Sequence, residues 1–211
     1  MTPASLASVG LTPQQVLDVL YSGIDGYGLA NMGRERSGRY GEDFTYGDIT
    51  LDCAYDMLNA VGAKEGEVFY DLGSGTGKGV LFAALLFDLA KSTGIELVEE
   101  LHGGSQVALQ RYIEQIVPLL PENKRWQTVN FVNADMRTID WSDADIVYSH
   151  CTCFSPVLMD AVTSGAEKLK QGARIITVSK GLNDSPHLVL KGSQPCQMAW
   201  GGATLYFYEK M

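Results

Sequence analysis

The segment Phe69-Tyr70-Asp71-Leu72-Gly73-Ser74-Gly75-Thr76-Gly77-Lys78 restricts the fold more than any other stretch of the chain. Apolar residues run into alternating glycines, and an apolar helical pattern follows over 79–89. A strand that turns into a helix through glycines starts a doubly wound α/β unit, because glycine permits both the tight turn and a close backbone approach to a ligand. From residue 46 the chain keeps alternating. Strands are expected over 67–72, 93–96, 128–132, 144–148, 174–178 and 203–208, and further helices over 49–61, 105–117 and 157–169. This alternation predicts an α/β fold with a doubly wound, mostly parallel seven-stranded sheet covered on both faces.

Residues 1–45 differ in kind. A short helix is expected over 11–20, with Thr12 as its cap and Pro13 in its first turn. Residues 23–47 are rich in Gly, Arg and Tyr and read as a loop that orders on a ligand. The division is therefore 1–45, a helix and a lid segment, and 46–211, the main domain. The first residues lack the basic start and apolar run of a secretory signal. The longest apolar run, Val80 to Phe87, is too short to cross a bilayer, so no membrane association and an intracellular location are expected.

With 45% hydrophobic and 19% charged residues the composition is that of a folded domain. A formal net charge of −9 argues against direct binding to a nucleic-acid backbone and is compatible with a cationic ligand or a basic protein. Arg34, Arg36 and Arg39 form the only local basic cluster and are expected on a solvated loop. The four cysteines are too few for a disulfide scaffold, which points to a reducing compartment. Cys151-Thr152-Cys153 has no second Cys or His pair at ligand spacing, so no metal site is expected.

Three acids fall at the C-terminal ends of successive strands, where such sheets bind ligands. The third glycine of the loop comes one residue early for the dinucleotide fingerprint. Asp71 ends the first strand beneath that loop, where a carboxylate would repel a pyrophosphate. It suits a ligand that carries an ammonium and a sulfonium, as S-adenosylmethionine does. Glu96 lies nineteen residues beyond Gly77, at the end of the second strand, where an acid accepts hydrogen bonds from ribose hydroxyls. Asp135 follows the third strand, at the usual position for an adenine contact, with Met136 placed to pack on the ring.

From about Tyr46 onward the chain resembles the catalytic core of the disruptor-of-telomeric-silencing family, the non-SET histone-lysine N-methyltransferases. These are class I S-adenosylmethionine-dependent methyltransferases with a Rossmann-like fold. Tyr46-Gly47-Asp48 is similar to the family's Tyr-Gly-Glu loop. Asp71-Leu72-Gly73-Ser74-Gly75 is similar to its cofactor loop, Gly94-Ile95-Glu96 to its second strand, and Arg174-Ile175-Ile176 with Ser179-Lys180 to its fifth strand and exit. The resemblance implies cofactor-binding roles for Tyr46, Asp48, Asp71, Gly73, Gly75, Lys78, Glu96, Asp135, Met136 and His150. It also implies an aromatic channel for the substrate lysine from Tyr148, Phe154, Trp200 and Tyr206, the last with a one-residue gap.

Where the family has Asn-Asn-Phe-Ala-Phe this chain has His150-Cys151-Thr152-Cys153-Phe154, so the first Asn becomes His150. Lys78 replaces a Gln, and Asp48 shortens a Glu. The family's basic tail has no counterpart in these residues, so the resemblance implies lysine methylation more firmly than a nucleosomal substrate. The expected partner is a basic protein, a histone first of all, which implies the nucleus; otherwise the cytoplasm is expected. His150 is either a hydrogen-bonding stand-in for the Asn, the preferred role, or a general base. In the latter case a small molecule is the alternative substrate.

Overall fold

A computed structural model describes residues 10–38 and 41–211. Seven strands, β1 (Val68–Leu72), β2 (Lys91–Glu96), β3 (Thr128–Asn133), β4 (Ile146–Ser149), β5 (Arg174–Val178), β6 (Leu188–Met198) and β7 (Gly201–Lys210), form one sheet. Its order is β3-β2-β1-β4-β5-β7-β6. The first five strands are parallel, and β7 inserts antiparallel between β5 and β6. The expected doubly wound sheet is therefore present.

Among the described residues six α-helices accompany it: α1 (Pro13–Tyr21), α2 (Gly26–Ser37), α3 (Leu51–Ala60), α4 (Lys78–Leu86), α5 (Glu99–Arg111) and α6 (Pro156–Ala166). One core lies where α1, α3, α4 and α5 meet the sheet, around Val16, Leu58, Phe82 and Phe69. A second lies beneath α6, around Leu72, Val147, Val162 and Ile175. Helix α4 is apolar all round because it is enclosed, with every residue from Gly79 to Leu86 buried.

Several boundaries and two whole elements depart from the sequence expectation. Residues 26–37 are a helix, not a loop. Asp25 caps it by accepting from Gly28 N at 3.0 Å, and Gly38 ends it in the left-handed conformation. Gly33, where a Cβ would meet Val98 and Glu100, lets α2 lie close on the start of α5, and Gly26 lies against the Tyr46 ring, so packing overrides poor helix propensity. Arg34 and Arg36 belong to this helix, and Arg36 pairs with Glu99 and with Glu100 at 2.8 Å; Arg39 lies outside the described residues. Helix α5 starts at Glu99, six residues before the expected 105, since its first turn carries Glu99 and Glu100 at the positive end of the helix dipole.

Strand β6 was not marked in the sequence, because Gly192 and Pro195 interrupt it. It is an edge strand, where proline is tolerated. Cys53 of α3 and Cys196 of β6 form a disulfide with Cα atoms 5.9 Å apart, a pairing that the expectation of a reducing compartment did not include. Cys151 and Cys153 are free.

Candidate functional site

The parallel strands end at one edge of the sheet, and a cleft opens there. It encloses about 1110 Å³ not filled by protein atoms, open solvent at its mouth included. Tyr46, Asp48, Asp71, Gly73, Gly75, Lys78, Glu96, Asp135, Met136, Tyr148, His150 and Phe154 all line it. Trp200 and Tyr206 do not belong to that lining. Trp200 instead stacks on His150, with ring centroids 5.6 Å apart and planes 15° apart. Tyr206 sits on β7 opposite Thr177 and Ser193 and packs against the core beneath α6.

The register sets the centre of the site. Asp71 pairs with Gly94 on one side and Tyr148 on the other. Asp71 Oδ1 and the Tyr148 hydroxyl are buried and have no hydrogen-bond partner among the described residues. Ser74 Oγ, in the glycine loop, is a third such atom. Unpaired polar atoms in a closed interior are costly, and finding three along one cleft marks where a polar ligand would complete the bonding. Burial, with Glu96 nearby, raises the Asp71 carboxyl well above the usual range. Burial likewise raises the Tyr148 phenol, helped by the negative charge of Asp71.

Glu96 is placed by the backbone. Its Oε2 accepts from Gly75 N at 2.8 Å and its Oε1 from Val98 N at 2.7 Å. Burial raises its pKa while these N–H groups hold it down. Each oxygen keeps a lone pair for a further donor. Gly75 has φ +54°, and a Cβ there would run into the Tyr46 ring, so the loop passes under Tyr46 only as glycine. Asp135 is held by Arg137, whose Nε lies 2.9 and 3.0 Å from its two oxygens. Met136 and Phe154 flank Gly73.

The Tyr46-Gly47-Asp48 segment is fastened to the glycine loop. The Tyr46 hydroxyl contacts Thr76 Oγ1 at 2.7 Å and also bonds Asp48, which pairs with Lys78. Tyr27 of α2 packs edge-on against Tyr46 at 5.3 Å. On its other side Gly47 lies between two rings. His150 Nδ1 is 3.0 Å from Gly47 O, and a Cβ on Gly47 would come within 2.8 Å of Trp200 Nε1 and 2.9 Å of His150 Cε1. Ala199 N donates to Asp48 O at 3.1 Å, so the turn between β6 and β7 is part of the same wall. Asp43 reaches across the cleft to Ser155, the cap of α6, bonding its N and, at 2.9 Å, its Oγ. Asp43, Thr76 and Tyr27 were not singled out in the sequence. Thr76 could have been, as part of the glycine loop, whereas nothing local marks Asp43.

The donor set fits a ligand with a cation near Asp71, a vicinal diol near Glu96 and a flat apolar ring between Met136 and Phe154. It does not fit a pyrophosphate, which would meet Asp71 beneath the loop. A sequence model of the family described as "Histone methylation protein DOT1" matches residues 36–189. The chain belongs to the DOT1 family. Trp200 and Tyr206 lie beyond the part that matches the DOT1 model.

A relative from Caenorhabditis elegans, a histone-lysine N-methyltransferase described as H3 lysine-79 specific, is 26% identical over 140 residues, 64% of this chain and 15% of the relative. One with the same description from Dictyostelium discoideum is 29% identical over 119 residues, 54% of this chain and 6% of the relative. The chain thus corresponds to a small part of the curated relatives that it matches. An RNA methyltransferase from Salinibacter ruber, solved with S-adenosyl-L-homocysteine, superposes with TM-score 0.56 at 21% identity, covering 74% of this chain and 89% of that one. TrmN from Thermus thermophilus superposes with TM-score 0.55 at 17% identity, covering 88% and 52%. At these identities the likeness shows that this DOT1-family chain has the class I methyltransferase fold.

Proposed function

We propose that this chain is an S-adenosylmethionine-dependent methyltransferase that modifies lysine side chains of a basic protein, with a histone as the first substrate to test. The observation that carries the reading is the pair of buried, unpartnered polar atoms, Asp71 Oδ1 and the Tyr148 hydroxyl, on adjacent strands in a cleft floored by the glycine loop. Asp71 would hold the ammonium of the cofactor, Glu96 its ribose, and Asp135 with Met136 its adenine. Tyr46, Asp48 and Lys78 would close over it. Bound there, S-adenosylmethionine supplies a methyl group on a positively charged sulfur.

The remaining work falls to the protein. Tyr148 and Phe154 offer apolar walls for a lysine stem. Burial between such walls lowers the amine's pKa from about 10.4, by up to roughly 3–5 units when desolvation is complete. Alignment of the amine supplies much of the remaining rate. The segment 1–45 serves as the lid in this reading, supported by the bonds from Asp43 to Ser155 and by the Tyr27–Tyr46 contact. The net charge of −9 supports a basic protein over direct nucleic-acid contact. A histone substrate would put the work in the nucleus.

A second reading, a small-molecule methyltransferase, is favoured by one observation: only Tyr148 and Phe154 of the four channel aromatics line the cleft. The test is transfer from labelled S-adenosylmethionine to free core histones, nucleosomes and a lysine-free control protein, with Asp71→Ala alongside. Label on histone lysine that Asp71→Ala abolishes is the expected result. Tight cofactor binding with no protein labelled sinks the protein-lysine reading and moves the search to small molecules.

A further inference from the structure

His150 follows β4 directly and is the only imidazole lining the cleft. Its Nδ1 lies 3.0 Å from Gly47 O. A carbonyl can only accept, so Nδ1 carries the proton and Nε2 keeps its lone pair. Among the described residues no protein group donates to Nε2. Stacking on Trp200 fixes the plane of the ring. The charged and titratable groups that face this region are Tyr46 and Asp48 from the loop before α3, Lys78 from α4, Asp71 from β1 and Tyr148 from β4. Asp48 is already committed to Lys78 and Tyr46. Burial lowers the His150 pKa, so the ring is neutral at physiological pH.

We propose that Nε2 of His150 takes the proton from the substrate's incoming ammonium, a role that rests on the methyltransferase reading above. The substrate N–H bond breaks, its electron pair stays on nitrogen, and the proton bonds to Nε2. The freed lone pair forms the C–N bond while the C–S bond of the sulfonium donor breaks and its electrons return to sulfur. The imidazolium then gives its proton to water. The Gly47 carbonyl stabilises the imidazolium through Nδ1–H, as an oriented acceptor does for a general base. One residue thus both ties the Tyr46–Asp48 loop to the sheet and moves the proton.

The experiment has two arms. In the first, ¹⁵N-histidine-labelled wild-type protein without ligand is titrated by NMR, with His150→Asn identifying one signal of the three histidines. The expected signal is a neutral ring protonated on Nδ1 that charges only below the usual histidine range. In the second, methyl transfer to free core histones is followed against pH. His150→Asn should lose on the order of 10²-fold in kcat at neutral pH, well beyond any loss of S-adenosylmethionine affinity from the loosened Tyr46–Asp48 loop. Its rate should then climb about tenfold per pH unit on the alkaline side, because the amine must arrive deprotonated. A ring protonated on Nε2, or a His150→Asn enzyme with unchanged kcat and pH profile, overturns the proposal. Absence of label from wild type with every protein substrate overturns the reading beneath it as well, which separates the two failures.

Discussion

Asp71 and Glu96 stand at the ends of neighbouring parallel strands, both buried, and the charge of Glu96 adds to burial in raising the Asp71 carboxyl. A carboxyl with a raised folded-state pKa favours folding fully below its unfolded value and loses that contribution as pH rises through the folded value. The ligand-free protein should therefore gain stability on acidification from neutral pH through the Asp71 titration. Asp71→Asn should melt higher than wild type at pH 7, by roughly 2–4 °C per kcal/mol relieved, and should lose S-adenosylmethionine binding. Scanning calorimetry from pH 5 to 8 with titration calorimetry for binding checks both. A lower melting point for Asp71→Asn across that range would refute the strain assigned to this carboxylate.

Gly47→Ala tests the ring sandwich. The added methyl meets both Trp200 and His150. Methyl transfer should fall at least about tenfold, as expected when a positioned group shifts by an ångström or so. Iodide quenching of Trp200 should rise in a Trp126→Phe background, since Trp126 is the most exposed tryptophan and would mask it. Unchanged quenching and rate would mean that the two rings adapt without moving the site.

Reduction should matter for stability. The Cys53–Cys196 bond spans 143 residues of sequence, so its loss frees a long loop in the unfolded chain. Urea unfolding with and without dithiothreitol should differ by about 2–4 kcal/mol, and a Cys53→Ser/Cys196→Ser double variant should match the reduced protein. Equal midpoints with and without reductant, alongside a rise in free thiols, would remove the bond from the stability account.

Tyr46→Phe deletes a hydroxyl that bonds both Asp48 and Thr76. The Asp48–Lys78 pair survives. The loop should loosen by about 1–2 kcal/mol, read as a several-fold weaker affinity for S-adenosylmethionine with kcat nearly kept. A fall in kcat at constant affinity would show that Tyr46 acts on the reacting groups and not on the loop.

The parallel half of the sheet was legible because its strands are buried on both faces and read as continuous apolar runs, β5 most clearly. Asp71, Glu96 and Asp135 followed, since each lies within two residues of the C-terminal end of a parallel strand, the edge where the cleft opens. Helix α2 was hidden because Gly26, Gly28 and Gly33 mimic a loop, and it takes packing on Tyr46 and α5, with the Asp25 cap, to favour the helix. Edge strand β6 is mostly exposed, with only its end residues Leu188 and Met198 buried, so no continuous buried run reveals it. The Cys53–Cys196 pairing and the stacking of Trp200 on His150 depend on chain segments far apart in sequence, which no local pattern encodes. For the same reason the four aromatics seemed equivalent, although two line the cleft and two do not.

The wall built around Gly47 has a kinetic consequence. Thr50 Oγ1 donates to Gln197 O at 2.8 Å, between residues 147 apart in sequence, and Ala199 reaches back to Asp48. Such distant contacts carry a loop-closure cost that must be met before they add stability, so they form late on the way to the native state. The parallel sheet can assemble while this flank of the cleft is still open. Amide exchange should report the turn at 198–201 as a separately opening unit, faster than β1 and β4, with the disulfide limiting how far it swings. Mild denaturant should therefore remove competence at the site before the parallel sheet unfolds.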